Sequence, residues 1–390
     1  MIAHLFAELQ AELDKRARQG LLRRRRLLQS PQSANIKADG VEVLSFCSND
    51  YLGLANHPAL ISAMQQSIAE TGVGSGASHL ITGHHQLHHD LEQALGEFVD
   101  LPAALYFSSG YMANLGVVTA LLRRGDAIFA DKLNHASLND AAVLARADLQ
   151  RYQHNDLAQL EGQLSASKAP RKLVLADAVF SMDGDMAPVP ELLELCERYD
   201  AWLMLDDAHG FGVLGKQGQG VLNHFGVKSP RIIYMATLGK AAGVSGAFVA
   251  AEAVVIEYLL QQARTYIYTT ATPPSLAAAV LSALDVIRHD TARRTHLHAL
   301  IAYLKLHLHL DRWQLMSSNT AIQPVLVGSN EDAVRLSERL LTKGILVPAI
   351  RPPTVPKDTA RLRISLSAAH SIADLQRLIE ALQQTEKEWG

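Results

Sequence analysis

Five short apolar runs in this sequence are each followed at once by residues able to do chemistry. Asp206-Asp207-Ala208-His209-Gly210 follows Leu205, and Ala236-Thr237-Leu238-Gly239-Lys240 follows Met235. Ser108-Ser109-Gly110-Tyr111 follows Phe107, Asp131-Lys132-Leu133-Asn134-His135 follows Ala130, and Asp177-Ala178-Val179-Phe180-Ser181 follows Ala176. A lysine, carboxylates, two histidines, hydroxyls and a helix-opening glycine thus recur at the ends of similar segments. Singly, each has a plainer reading. A lysine after a strand is usually on the surface, an aspartate there is often a helix cap, and a lone histidine is more often structural. Their joint placement asks for a chemical reading.

The set matches the needs of pyridoxal phosphate (PLP). The aldehyde requires a lysine amine. The pyridine nitrogen must stay protonated to draw electrons, and an adjacent buried carboxylate favours that cation. The phosphate suits backbone N–H groups at a helix N-terminus together with hydroxyls, and the ring suits a planar group against its face. Lys240, Asp206, Gly110 and Tyr111 with Thr237, and His135 are expected to fill these four roles. His209 is expected to reach the phenolic oxygen, and Ser181 the ring edge.

Such residues need a scaffold. Ala104–Phe107, Ala127–Ala130, Leu173–Ala176, Trp202–Leu205 and Ile232–Met235 are short and continuously apolar, as in strands covered on both faces. Helical stretches such as Met112–Leu122 and Pro190–Tyr199 separate them. The alternation predicts an α/β fold, a mainly parallel sheet covered by helices. Ligands in such sheets bind beyond the carboxyl ends of the strands, which is where the reactive residues fall. Toward the C-terminus the pattern changes. Ala321–Val327, Ile345–Ile350 and Arg361–Leu366 read as strands, Asn330–Lys343 as a helix, and Ser371 with Asp374 as the start of a last helix. At ~150 residues per domain two or three units are expected. The division is an N-terminal helical segment 1–44, a large PLP-binding domain 45–289 and a small α+β domain 290–390.

Composition narrows the function. The formal net charge is −3, with acids and bases nearly balanced, so neither nucleic acid nor an anionic membrane surface is an expected partner. Only Cys47 and Cys196 are present, too few for a disulfide framework, which fits a reducing compartment. Glu8 and Glu12 do not suit a targeting signal. The apolar stretch Gly243–Leu260 holds Glu252 and Glu257 and is too short and polar for a membrane span. A cytoplasmic location is expected.

Two other patterns carry little. His84/His88 and His85/His89 have the i, i+4 spacing of helical metal sites. No Glu follows the first histidine and no third ligand is evident, so a surface or core-edge helix is expected, with no metal. Gly72-Val73-Gly74-Ser75-Gly76-Ala77 loosely matches a dinucleotide fingerprint, but it follows a helical stretch rather than a strand.

At the reactive residues the chain resembles a known family. Ser48-Asn49-Asp50-Tyr51-Leu52-Gly53-Leu54, Asn134-His135-Ala136-Ser137, Phe180-Ser181-Met182-Asp183-Gly184-Asp185, Asp206-Asp207-Ala208-His209-Gly210 and Thr237-Leu238-Gly239-Lys240 look like the α-oxoamine synthases. The resemblance runs from about Leu13 to about Leu382. It implies PLP transferase fold type I, a homodimer, and decarboxylative condensation of an amino acid with an acyl thioester. Lys240, His135, Asp206 and His209 would then be catalytic, and Arg23, Asn49, His135, Thr354 and Arg363 would contact substrate. The loop Ile350-Arg351-Pro352-Pro353-Thr354-Val355-Pro356 resembles the biotin-pathway member. That member joins L-alanine to a pimeloyl thioester carried by an acyl carrier protein or coenzyme A. Glycine acetyltransferase is the alternative within the family, and a non-catalytic partner subunit of the same fold the alternative outside catalysis. Two stretches depart from the family pattern. Asp177-Ala178 stands where Glu-Gly or Asp-Gly is usual, and Gly76-Ala77-Ser78-His79 where Gly-Gly-Ser-Arg is.

Overall fold

The computed structural model describes residues 2–389. The chain forms two units, Asn49–His298 and a second made of Met1–Ser48 with Ala299–Gly390. The N-terminal segment, expected as a piece of its own, thus shares a unit with the C-terminal residues.

Asn49–His298 is built on a seven-stranded sheet. Its order is Ala103–Phe107, Ala247–Ala251, Ile232–Thr237, Trp202–Asp206, Lys172–Asp177, Ala127–Asp131 and Asp148–Tyr152. Ala247–Ala251 is antiparallel to both neighbours, and every other pairing is parallel. Six strands therefore end at one edge of the sheet. The apolar runs predict five of the seven strands. Their side chains, among them Leu105, Ile128, Leu173, Met204 and Ile233, are buried under Val117, Val118 and Leu138 of the covering helices. Both faces of the sheet are covered, so the alternation of a one-sided sheet is absent.

Two strands lie outside the expectation. Asp148–Tyr152 is an edge strand with a mostly polar, partly exposed sequence. Ala247–Ala251 hides inside the apolar stretch 243–260, which divides into this strand and the helix Ala253–Gln262. Among the described residues no helix is long and apolar enough to cross a membrane.

The other unit carries two small sheets. Asn35–Ala38, Val41–Ser45 and Ile345–Leu346 form one, and Gln314–Leu315, Ile322–Gly328, Ala360–Ser365 and Ala349–Ile350 the other. The strand expected over Ile345–Ile350 is thus split between sheets. Pro348 lies at the break, where it has no N–H to continue a ladder. The last helix, Ile372–Lys387, starts with the expected capping box between Ser371 and Asp374. The first helix ends at Arg18. Arg23–Arg26 therefore lie beyond it in an irregular segment, in which Arg26 pairs with Asp39 at 3.2 Å.

Candidate active site

The strand ends of the large unit enclose a cavity of about 180 Å³. Its wall includes Gly110, Tyr111, His135, Asp206, His209, Thr237 and Lys240, together with Ser137, Asp177, Ala208 and Met235. Seven residues expected from the sequence are therefore brought to one place.

Local structure explains how each is held. The strand ending at Thr237 turns tightly, with Leu238 N–H on Gly246 O at 2.9 Å and Val244 N–H on Leu238 O at 3.0 Å. Lys240 sits at the tip of this turn. Gly243 closes it at φ +71°, and a Cβ there would stand 2.5 Å from the Ala55 nitrogen, so only glycine fits. Lys240 Nζ is 2.7 Å from His209 Nε2. His209 Nδ1 is 2.6 Å from the hydroxyl of buried Tyr51, which also donates to Asn49 Oδ1 at 3.2 Å.

The strand ending at Asp206 continues into Asp207, and the two carboxylates do different work. Asp206 Oδ1 accepts from Ala208 N–H at 3.1 Å, and Oδ2 from Asn114 Nδ2 at 2.8 Å. Asp207 points away from the cavity. It accepts from Val221 N–H at 2.7 Å and Tyr234 Oη at 2.8 Å. Burial pushes its pKa up to about 7.

The helix Gly110–Leu121 opens at Ser109, whose Oγ caps Met112 N–H at 3.3 Å. Its first-turn N–H groups lack intrahelical acceptors and lie beside Thr237, a ready anion site. His135 caps the helix Ala136–Ala145. Its own N–H donates to Asp177 Oδ1 at 3.0 Å. Burial lowers the pKa of its ring, opposed by Asp206 and aided by Lys240. Asp177 is shifted the other way, well up, by burial and by Asp206.

Ser181 lies outside the cavity wall, at the start of a turn closed by Gly184 N–H on Phe180 O at 2.8 Å. Arg23, Thr354 and Arg363 belong to the other unit. Arg23 and Thr354 are exposed. Arg363 is buried and donates to Ser365 Oγ at 2.7 Å.

Sequence reasoning missed Tyr51 and Asn114 as supports. Tyr51 lies in a quoted motif, but its contact with His209 spans 158 positions. Nothing local marks Asn114 within an apolar helix. The histidine run also differs from expectation. His85 caps the helix Gln86–Phe98, so His84 lies before it, yet the His84 and His88 rings still stand 5.7 Å apart, centroid to centroid. A third histidine, His79, comes within 3.0 Å of His84, Nδ1 to Nδ1. His88 is engaged at both nitrogens, by His85 N–H at 3.0 Å and Thr272 O at 2.9 Å.

The cavity fits PLP by its donor set. It offers an amine, a carboxylate held by two N–H donors, an anion-binding helix start beside a hydroxyl, and an imidazole. The comparisons agree. The model of the aminotransferase class I and II family matches residues 41–382. A relative from Methylobacillus flagellatus, named 8-amino-7-oxononanoate synthase, is 65% identical over 98% of this chain and 97% of its own. One of the same name from Nitrosospira multiformis is 61% identical over 97% and 96%. Among solved structures, a serine palmitoyltransferase from S. paucimobilis with PLP–myriocin bound matches with TM-score 0.91 at 28% identity. The match covers 100% of this chain and 99% of that one. An 8-amino-7-oxononanoate synthase from Francisella tularensis matches with TM-score 0.78 at 31% identity, over 89% and 98%.

Proposed function

The chain belongs to the aminotransferase class I and II family and, within it, to the α-oxoamine synthases, and from that premise we propose that it makes 8-amino-7-oxononanoate for biotin synthesis. It is a PLP-dependent acyltransferase. The proposed reaction condenses L-alanine with a pimeloyl thioester. The alanine Cα bonds to the thioester carbonyl carbon, the C–S bond breaks and the carrier leaves as a thiolate that takes a proton from solvent. The C–carboxylate bond then breaks to release carbon dioxide, and a proton returns to Cα. The observation that carries the reaction class is the gathering of Lys240, Asp206, His135 and His209 around one cavity. The relatives' names support the substrates.

PLP, when bound, supplies an electron sink that acidifies the amino acid's Cα–H and accepts electrons as carbon dioxide departs. The protein's part is positioning and proton movement. Lys240 Nζ takes the Cα proton and later returns it, and His209 holds the amine at 2.7 Å. The Asp206 carboxylate would hold the cofactor's pyridine nitrogen as the cation. The first turn at Gly110 and Tyr111, with Thr237, would hold the phosphate, and Ser181, just outside the cavity wall, would approach the ring edge. His135 would pack against the ring and hydrogen-bond a substrate oxygen. Arg363 binds the alanine carboxylate, since a guanidinium matches it in two parallel bonds. Arg23, Asn49 and Thr354 contact substrate. The enzyme acts as a homodimer in the cytoplasm and takes its acyl group from a carrier protein or coenzyme A.

The test is to give the PLP-loaded protein L-alanine with a pimeloyl thioester and, in parallel, glycine with acetyl-CoA. Mass spectrometry should find 8-amino-7-oxononanoate from the first pair alone. Product only from the second pair would replace this reading with a glycine acetyltransferase. Product from neither, with no cofactor absorbance, would favour a non-catalytic subunit.

A further inference from the structure

Asn114 and Ser137, which have no part in the scheme above, link Asp206 to His135 through a line of hydrogen bonds. Asn114 is fully buried in the helix Gly110–Leu121. Its Nδ2 is 2.8 Å from Asp206 Oδ2 and 2.8 Å from Ser137 Oγ. Ser137 Oγ is in turn 2.7 Å from His135 Nδ1, and Ser137 N–H donates to the same nitrogen at 3.2 Å.

Counting hydrogens sets the direction of each bond. An amide nitrogen carries two hydrogens and accepts nothing, so Asn114 donates both to Asp206 and to Ser137. Flipping the amide would aim Oδ1 at a carboxylate oxygen, acceptor against acceptor. The Ser137 backbone N–H donates to His135 Nδ1, so that nitrogen holds a lone pair. The Ser137 hydroxyl, which could otherwise donate or accept, therefore sends its hydrogen to the same nitrogen. The hydrogen of the neutral ring is then on Nε2. At the other end of the line, both Asp206 oxygens meet N–H donors, as suits a carboxylate and not an acid.

We propose that Asn114 and Ser137 are positioning residues, which hold Asp206 as a carboxylate and fix His135 as the tautomer that presents Nε2–H. This rests on the roles given to His135 and Asp206 above, and it sharpens one of them. A histidine fixed in this way is a donor, so the substrate group it meets is an acceptor oxygen, the thioester carbonyl or the amino-acid carboxylate. Asn114 Oδ1 is buried without a hydrogen-bond partner. An apolar residue would avoid that cost, and the two bonds made by Nδ2 account for its presence.

Nitrogen-15 NMR of histidine-labelled protein reads the tautomer directly, with the His135 signal identified by its loss in His135→Asn. The expected wild-type signal is the Nε2–H form, with and without PLP. Ser137→Ala removes the hydroxyl from Nδ1 but keeps the backbone N–H, so it should keep the Nε2–H form as the major one and shift the His135 titration. It should lower kcat at least tenfold and leave PLP uptake intact, and Ser137→Thr should restore kcat and the titration. Asn114→Leu should weaken PLP binding and move the pH dependence of the cofactor absorbance. A wild-type Nδ1–H form, or a Ser137→Ala protein with an unchanged His135 titration, would overturn the proposal. A chain that takes up no PLP would overturn the reading of the site instead, while the tautomer without cofactor still decides the network.

Discussion

Lys240 Nζ lies 2.7 Å from His209 Nε2, and His209 is braced from behind by Tyr51 Oη at 2.6 Å. The lysine is therefore held at one point over the cavity rather than free to sweep through it. The proposed mechanism asks this amine to move a proton at one carbon, and a fixed base does that best.

Lys240→Ala should remove the visible cofactor band and lower turnover at least ~10³-fold, within the range lost with a general base. Carbon dioxide release from L-alanine and pimeloyl thioester checks it. Turnover within tenfold of the unsubstituted protein would show that another group carries the proton.

Arg363→Lys should raise KM for L-alanine by ~10- to 100-fold, with a smaller change in kcat. The charge is kept, but an ammonium cannot make the two parallel bonds of a guanidinium, and hydrogen bonds to charged groups are worth ~1.5–3 kcal/mol. Steady-state kinetics decide it. An unchanged KM would move the carboxylate site elsewhere.

His154 should give stability a measurable pH dependence. Its Nε2 is 2.8 Å from Asp185 Oδ2, and its Nδ1 is 3.2 Å from Asp131 Oδ1. Burial disfavours its charge, but the two carboxylates outweigh burial and raise its pKa to about 10. The unfolded value is about 6.5. A folded pKa above the unfolded one gives stability that is complete below pH ~6.5 and is lost as pH climbs toward 10. Urea midpoints of wild type and His154→Gln should therefore differ most at pH 6 and converge by pH 10. A gap that widens with pH would reverse the assignment.

Gly220→Ala should cost ~2–4 kcal/mol, the sum of a disfavoured backbone conformation and overpacking. Gly220 sits at φ +90°, and a Cβ there would collide with the Asp207 carboxylate and the Tyr234 hydroxyl. Denaturant midpoints measure the loss. A variant as stable as wild type would mean that the loop after Asp207 yields easily.

By itself the sequence determined the class of chemistry and five of the seven strands of the large sheet. Continuous apolar runs such as Leu173–Ala176 and Trp202–Leu205 register burial on both faces, because side-chain periodicity is a local property of the backbone. The reactive residues sit directly after those runs, so their meeting followed from the rule for parallel sheets. The edge strand Asp148–Tyr152 was not legible, because its side chains are largely solvated and carry no apolar signature. Asp206 was named from the sequence, but only the tertiary structure shows what turns it and not Asp207 toward the cavity. Asp206 and Asp207 are alike in local sequence, and they differ because Asn114 reaches one from 92 positions away and Tyr234 the other from 27. Such pairings depend on which segments the sheet order brings side by side, and local spacing carries no record of them.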